Sequence, residues 1–129
     1  YAARAGLSGQ RHVYSSGADL DAVGWFSQNS GGHTHPVGLK TPNRWGLFDL
    51  SGNIWEWCQD EWLRDAYRKR IGDRAIDPVH YNAQLSPKVI KGGAWYDYMS
   101  DCRLANRPGQ AIDQPYGIGF RVCLPHNPL

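Results

Sequence analysis

The residues best suited to chemistry lie in one short run, GLFDLSGNIWEWC, at positions 46–58. Asp49 and Glu56 are hard oxygen donors, and the pair Gly52-Asn53 favours a turn that exposes backbone carbonyls. The neighbouring tryptophans shield such a turn from bulk water. Because Ca²⁺ prefers carboxylate and carbonyl oxygens, the run indicates a calcium site.

A second interpretation of the same run needs no metal ion. Asp49 would cap a turn, and Glu56 would pair with one of the 14 lysine and arginine residues of the chain. The residue types alone leave both interpretations open.

Three further blocks follow this run in the chain: KGGAW at 91–95, CRLANR at 102–107 and GIGFRV at 117–122. In this order and spacing, the four blocks resemble the formylglycine-generating enzyme family, also called the sulfatase-modifying factor family. The resemblance extends from about Tyr1 to Val122. It implies an α+β fold that is irregular, loop-rich and similar to C-type lectins.

The resemblance also implies a ligand set for one structural calcium ion. Asp49 and Glu56 would supply side-chain oxygens, and Gly52 and Ile54 would supply backbone carbonyls. An earlier calcium site of the family has no convincing match in this chain.

The domain organisation follows from length and from the same resemblance. At 129 residues the chain can bury one core, so we expect residues 1–129 to form a single sulfatase-modifying-factor-type domain. Residues 1–4 resemble the end of a family segment, so the amino-terminal part of the domain is expected to be missing. The apolar edge left exposed would be covered by that missing portion, another chain or a second copy.

Composition narrows the classes of partner. The net charge of +2 is small and dispersed, which argues against nucleic-acid binding. No apolar stretch reaches membrane-spanning length, so no membrane partner is expected. Three cysteines leave the redox compartment open.

Catalytic members of the family bind copper through two cysteines that are five residues apart, after a pair of glycines. Aligned from Gly93, these positions hold Asp97 and Cys102. A carboxylate is a poor ligand for Cu(I), so copper binding and formylglycine formation are not expected. Cys102 is the catalytic candidate only if the chain is an oxidoreductase, and otherwise resembles a structural cysteine of noncatalytic relatives.

Other relatives work beside iron centres in sulfoxide synthesis, but their iron-binding histidines belong to a separate helical domain. Within this chain, His33 and His35 are spaced to chelate a metal from a strand. Two histidines without a third ligand favour a turn into Pro36 instead.

The loops between the blocks are rich in tyrosine, serine, glycine and aspartate, which are typical of adaptable recognition surfaces. We expect a protein or small-molecule ligand to bind the loop surface formed by residues 96–117, and ordinary loops are the alternative. The candidate contacts are Tyr96, Asp97, Tyr98, Ser100, Asp101, Asp113 and Tyr116. The pattern is similar to the variable proteins of diversity-generating retroelements, a branch of this family.

Local patterns predict several elements around these sites. A helical turn is expected near 18–23, a short helix over 61–70, a surface loop over 72–87, and core strands over 89–91 and 119–124. Cys58 and Cys123 are expected to be buried. At least one of Arg103, Arg107 and Arg121 is expected to pair with Asp49, Asp60 or Asp101.

The sequence thus predicts a calcium-stabilised binding module that lacks the catalytic cysteine pair. The alternative is an oxidoreductase component, of formylglycine-generating or iron-dependent sulfoxide-synthase type, whose catalytic centre is altered or encoded in another chain.

Overall fold

The structure is a computed structural model that describes residues 1–6, 12–69, 86–114 and 116–123. These residues form a small mixed sheet and short helices joined by long loops, which confirms the predicted irregular α+β fold. The elements are a 3-10 helix Ala2–Arg4, α1 Leu20–Val23, β1 Trp55–Glu61, α2 Ala66–Lys69, β2 Lys88–Lys91, β3 Gly109–Gln110 and β4 Ile118–Gly119. The likeness to C-type lectins stays a prediction.

The sheet has the strand order β3-β2-β1-β4. β1 pairs antiparallel with β2 and parallel with β4, and its register to β2 shifts between Trp57 and Glu61. Val89 and Ile90 of β2 point to opposite faces of the sheet, and both are buried. The sheet is therefore covered on both faces at its centre.

Two apolar clusters hold these elements together. Tyr14, Leu20, Val23, Phe26 and Cys102 form the first cluster, away from the sheet. Trp55, Ile90 and Ala94 form the second cluster against the sheet, with Trp57 and Ile118 at its margin. The backbone between the two clusters is mostly irregular. Within the described residues, no long helix or strand connects them.

The predicted helical turn and the predicted strand over 89–91 are confirmed. The carboxylate of Asp19 accepts a hydrogen bond of 3.0 Å from the amide of Asp21, so Asp19 caps the first turn of α1. Leu20 and Val23 face the core from that turn. β2 contains the whole of the predicted strand.

The helix predicted over 61–70 begins later than expected. β1 continues through Glu61, whose buried carboxylate lies 3.8 Å from the Lys88 ammonium on the neighbouring strand. This pairing across the sheet keeps Glu61 in the strand, and α2 starts only at Ala66. The loop predicted over 72–87 falls mainly on residues outside the described part of the chain.

The strand predicted over 119–124 is wrong in extent. β4 ends at Gly119, because β1 pairs with it only at Trp55 and Glu56. Beyond that point Phe120 and Val122 are 75% and 85% exposed. Cys123 is also exposed, so its predicted burial is wrong, and Cys58 is half-buried.

No helix within the described ranges has both the length and the apolar character needed to cross a membrane.

The turn at 51–54 is built on a close approach that only glycine permits. Gly52 has a φ of +84°, and an added Cβ would lie 2.3 Å from the carbonyl oxygen of Trp25. Gly32 has nearly the same φ, +83°, but an added Cβ would meet nothing within 4 Å. Substitutions at these two glycines therefore distinguish the cost of a left-handed backbone from the cost of steric overlap.

We expect Gly52→Ala to destabilise the chain more than Gly32→Ala. Gly32→Ala adds only the left-handed strain of about 1–2 kcal/mol, whereas Gly52→Ala adds a further overpacking cost of about 1–3 kcal/mol. Urea unfolding followed by tryptophan fluorescence measures both changes. Equal losses in the two variants would contradict the tight packing of the 51–54 turn.

Candidate functional site

Asn53 anchors the candidate calcium loop, which comprises residues 49–56, to three distant segments. Its amide donates to the carbonyl of Trp25 at 2.7 Å, and its own carbonyl accepts from the amide of Trp95 at 2.9 Å. Its side chain pairs with the backbone of His35, accepting at 2.9 Å and donating at 3.1 Å. Because Asn53 is buried and has a φ of 68°, it holds the turn in one conformation.

Asp49 presents a buried carboxylate to this turn. Its Oδ2 atom accepts a hydrogen bond of 2.8 Å from the amide of Gly38. Its Oδ1 atom is buried and has no hydrogen-bond partner within the described residues. A buried carboxylate oxygen without a donor is costly, and a cation is a natural partner for it.

Glu56 shares its carboxylate with Arg121. Both carboxylate oxygens of Glu56 accept hydrogen bonds from the guanidinium, through Nε at 2.6 Å and through Nη2. Arg121 Nη2 also donates to the backbone carbonyl of Phe48 at 3.1 Å. The hydrogen bond to Glu56 raises the pKa of the Arg121 guanidinium. The prediction that Glu56 pairs with a basic residue is thus confirmed, and Arg121 is that residue.

The unpartnered Oδ1 atom of Asp49 is the feature of the turn that suits a calcium ion. The carboxylates of Asp49 and Glu56 line an open cavity of about 420 Å³ together with Asn53, Ile54 and Arg121. Across the described residues, no three His, Cys, Asp or Glu side chains converge as metal ligands. A calcium ion here would therefore depend on backbone carbonyls such as those of Gly52 and Ile54, beside the two carboxylates.

The rings of His33 and His35 lie 4.5 Å apart and are tilted by 41° relative to each other. The ring of His35 stacks on Trp25 at a centroid distance of 3.7 Å, and Lys40 Nζ lies 3.9 Å from the same indole. A nitrogen of the His35 ring lies 2.7 Å from the carbonyl oxygen of Ser30. This arrangement favours the turn interpretation over a metal site.

The two positions of the copper pair have structural surroundings. Cys102 is fully buried in the first apolar cluster, and burial, with the nearby charges of Asp97 and Asp101, raises the pKa of its thiol to about 12. The Asp97 carboxylate accepts a hydrogen bond of 2.9 Å from the amide of Ala94. The pKa of the Asp97 carboxyl is raised above its usual value, mainly by burial. The hydrogen bond from Ala94 and one from Trp55 oppose this rise.

The tyrosines of the loop surface are exposed. Tyr96, Tyr98 and Tyr116 are 42%, 73% and 90% exposed. Tyr96 and Tyr116 are close enough to influence each other electrostatically, and Gly117 lies against the Tyr96 ring. Burial, followed by the nearby Asp97 charge, raises the pKa of Tyr96. The structure thus places the segment of Tyr116 and Gly117 beside Tyr96.

The other candidates on the loop surface divide into two places. Ser100 donates a weak hydrogen bond of 3.4 Å to Asp101, and the carbonyl of Asp101 accepts one of 2.9 Å from Asn106. These residues belong to the turn that follows Tyr98. Asp113 lies instead beside Ile112 and Pro87, along a different cavity.

Sequence reasoning left the individual arginine partners open. Arg107 lies 3.7 Å from Asp60, as one of the expected alternatives requires, and it also donates to the carbonyl of Glu61 at 3.2 Å. Arg121 reaches Glu56 across a separation of 65 positions. No local spacing pattern signals a contact between residues so far apart in the chain.

Comparisons with known proteins identify relatives of this architecture. The sequence matches the sulfatase-modifying factor enzyme 1-like domain over residues 1–125. The formylglycine-generating enzyme of Streptomyces coelicolor is 34% identical over 141 residues, which cover 95% of this chain and 43% of the relative. The chain therefore spans less than half the length of this relative.

Solved structures agree with that match. Treponema denticola variable protein 1 superposes with a TM-score of 0.71 and 29% identity, covering 93% of this chain and 42% of that protein. PvdO from Pseudomonas aeruginosa superposes with a TM-score of 0.68 and 26% identity, covering 93% of this chain and 47% of that protein. The fold and the predicted family are thereby confirmed, and the chain belongs to the formylglycine-generating enzyme, or sulfatase-modifying factor, family.

Proposed function

We propose that this chain is a noncatalytic binding module of its family, which contacts a protein or small-molecule ligand through the loop surface at 96–117. The observation that carries the proposal is the contrast between two neighbouring features of that segment. Cys102 is fully buried, whereas Tyr98 and Tyr116 are largely exposed. The segment thus offers contact area without an accessible thiolate.

Thiolate chemistry is unfavourable at Cys102. A cysteine must be deprotonated to bind Cu(I) or to act as a nucleophile, and a thiol with a pKa of about 12 stays protonated near neutral pH. The other position of the copper pair, Asp97, uses its carboxylate to hold the Ala94 amide. Neither the Cys102 thiol nor the Asp97 carboxylate is therefore suited to bind Cu(I).

The surface chemistry favours recognition of a ligand. Tyrosine supplies a large amphipathic contact area at a low cost in side-chain entropy. Tyr96, Tyr98 and Tyr116 are all exposed, and the turn at Ser100-Asp101 adds polar atoms near Tyr98. The similarity to a Treponema variable protein supports a variable-protein role, in which residues of this surface would differ between copies.

Calcium would stabilise this module away from the loop surface. Asp49, Glu56, Gly52 and Ile54 would hold the ion, and its charge would satisfy the unpartnered Oδ1 atom of Asp49. Arg121 already neutralises part of the negative charge, so Glu56 would be shared between the ion and the guanidinium. The ion would act on stability and not on ligand contact.

A second function is favoured by the named activity of one relative. The Streptomyces coelicolor protein is a formylglycine-generating enzyme, and it matches nearly the whole of this chain. Under this alternative the chain is an oxidoreductase component that uses Cys102 or a centre in another chain. Oxygen consumption by the Cu(I)-treated chain with a cysteine-containing peptide would support the alternative.

Exposed apolar side chains near the end of the sheet are consistent with a further contact. Phe120 and Val122 would be covered by another part of the domain, another chain or a second copy.

We expect Ca²⁺ to raise the stability of the native chain and not that of Asp49→Asn or Glu56→Gln. At a calcium concentration of 100 times the dissociation constant, the native chain should gain about 2.7 kcal/mol. Both substitutions remove a negative charge. Asp49→Asn keeps an oxygen that can accept the hydrogen bond from Gly38, whereas Glu56→Gln keeps one of the two oxygens that accept from Arg121. Thermal unfolding with calcium and with chelator measures the difference.

Asp113→Asn is the matched control, because Asp113 is an exposed carboxylate that lies beside a different cavity. This variant should keep the calcium-dependent gain. Equal destabilisation of Asp49→Asn with calcium and with chelator would show that Asp49 has only a structural role.

We expect Tyr98→Ala and Tyr116→Ala to weaken ligand binding without unfolding the chain. Peptides selected from a displayed random library against the native chain serve as probes. Loss of one exposed aromatic anchor should weaken their binding by about tenfold or more, while surface truncation should change stability by about 0.5 kcal/mol at most. Isothermal titration calorimetry measures the affinities.

Tyr1→Ala provides the comparison, since Tyr1 is 75% exposed but lies outside the loop surface, against Trp45. Its peptide affinities should match those of the native chain. A set of selected peptides that all bind undiminished to the double variant of Tyr98 and Tyr116 would contradict the proposed surface.

A further inference from the structure

Another concave region, distinct from the loop surface and the candidate calcium loop, is lined by basic side chains. This cavity of about 200 Å³ has Arg4, His12 and Arg44 in its walls. Ser15 and Ser16 also line it, and no acidic side chain does so among the described residues. Low-dielectric walls that carry charge of one sign focus an electrostatic field into such a space.

Asn43 builds the walls of this cavity. Its side-chain Nδ2 donates to the carbonyl of Ala2 at 2.8 Å, and its Oδ1 accepts from the amides of Trp45 and Leu47 at 2.9 and 3.1 Å. Asn43 is buried, so these bonds are shielded from water. They fix the segment that carries Arg4 beside the segment that carries Arg44.

The positive charge of the cavity is not balanced internally. Other basic side chains of the structure pair with carboxylates: Arg107 with Asp60, Arg121 with Glu56, and Lys88 with Glu61. Within the described ranges, neither Arg4 nor Arg44 has an ion-pair partner. Among the described residues, no carboxylate therefore forms an ion pair with either arginine of the cavity.

A neighbouring cation strengthens the field. Arg4 also lines an adjacent cavity together with Lys91. Burial lowers the pKa of the Lys91 ammonium, and the positive charge of Arg4 is among the contributions that lower it further. The Lys91 ammonium donates to the carbonyls of Leu104 and Asn106, so it stays in place beside Arg4.

We propose that the cavity between Arg4 and Arg44 binds a phosphate or sulfate group, either as the free ion or as a monoester. Two arginine side chains that line one cavity suit a tetrahedral dianion, because each guanidinium fork can donate two parallel hydrogen bonds to its oxygens. The Ser16 hydroxyl donates to the carbonyl of Pro42 at 2.9 Å, so the contacts to the anion come mainly from the cations.

The size of the cavity is consistent with an oxyanion that carries a substituent. A volume of about 200 Å³ is several times the share of one liquid water, which is about 30 Å³. The space therefore exceeds the needs of one bound water and admits an ion with a small attached group.

The test is a titration of the ¹⁵N-labelled native chain with inorganic phosphate, with sulfate and with phosphoserine, at constant ionic strength adjusted with chloride. Saturable shifts are expected at the amides of residues 4–6, 15–16 and 43–44. Tighter binding of phosphoserine than of phosphate would identify a monoester as the ligand, and equal or weaker binding would identify the free ion.

Arg4→Gln and Arg44→Gln should each weaken phosphate binding by about tenfold or more, as loss of a charged hydrogen-bond donor predicts. Arg44→Lys keeps the charge but loses the fork, so it should lie between the native chain and Arg44→Gln. Arg103→Gln is the matched control, because Arg103 is exposed and does not line the cavity. It should bind phosphate like the native chain.

Three results would overturn the proposal. They are linear, non-saturable shifts in the native chain, shifts confined to other regions, or equal weakening in Arg103→Gln and the two cavity variants. The ¹⁵N map of the native chain decides the question even where a cavity variant fails to fold, which thermal unfolding would reveal.

Discussion

The hydrogen bonds of Asn53 are the interaction on which the rest of this irregular structure depends. Regular helices and strands satisfy their own backbone, but long loops must find other partners for it. Asn53 joins the segments of Trp25, His35 and Trp95 through its amide, its carbonyl and its side chain. The adjacent amide of Gly52 donates to the carbonyl of Gly92 at 2.8 Å. One turn thereby fixes both the candidate calcium loop and the start of the loop surface.

Charged side chains lie beside this turn. Glu56 accepts hydrogen bonds from Arg121, and one buried oxygen of Asp49 has no hydrogen-bond partner among the described residues. The exposed tyrosines follow Trp95 in the chain. Trp95 itself is joined to the turn, because its amide donates a hydrogen bond to the carbonyl of Asn53. The turn at 51–54 can therefore hold the loop surface in place whatever its exposed side chains are. Those side chains take no part in the hydrogen bonds of the turn.

The sequence allowed the family and the fold class to be predicted, because the residues that define them lie in ordered blocks, and calcium binding at residues 49–56 stays a prediction. Contacts between distant segments could not be predicted. The partner of Glu56 lies 65 positions away. Arg4 and Arg44 line one cavity, and Asn43 joins the segments that carry them. The apolar pattern after Gly119 is typical of a core strand, yet Phe120 and Val122 are exposed, because a pattern does not reveal what covers a strand. The burial of Cys102 likewise depends on Tyr14, Leu20 and Phe26, which lie far away in the chain.

We propose that the chain is a calcium-stabilised binding module and not a copper-dependent oxidase. The most direct test is native mass spectrometry of the purified, reduced chain after equilibration with Ca²⁺ and Cu(I) together. The buried, protonated thiol of Cys102 and the unpartnered oxygen of Asp49 predict about one bound calcium and no bound copper. Near-stoichiometric copper that is lost on Cys102→Ser would contradict the account.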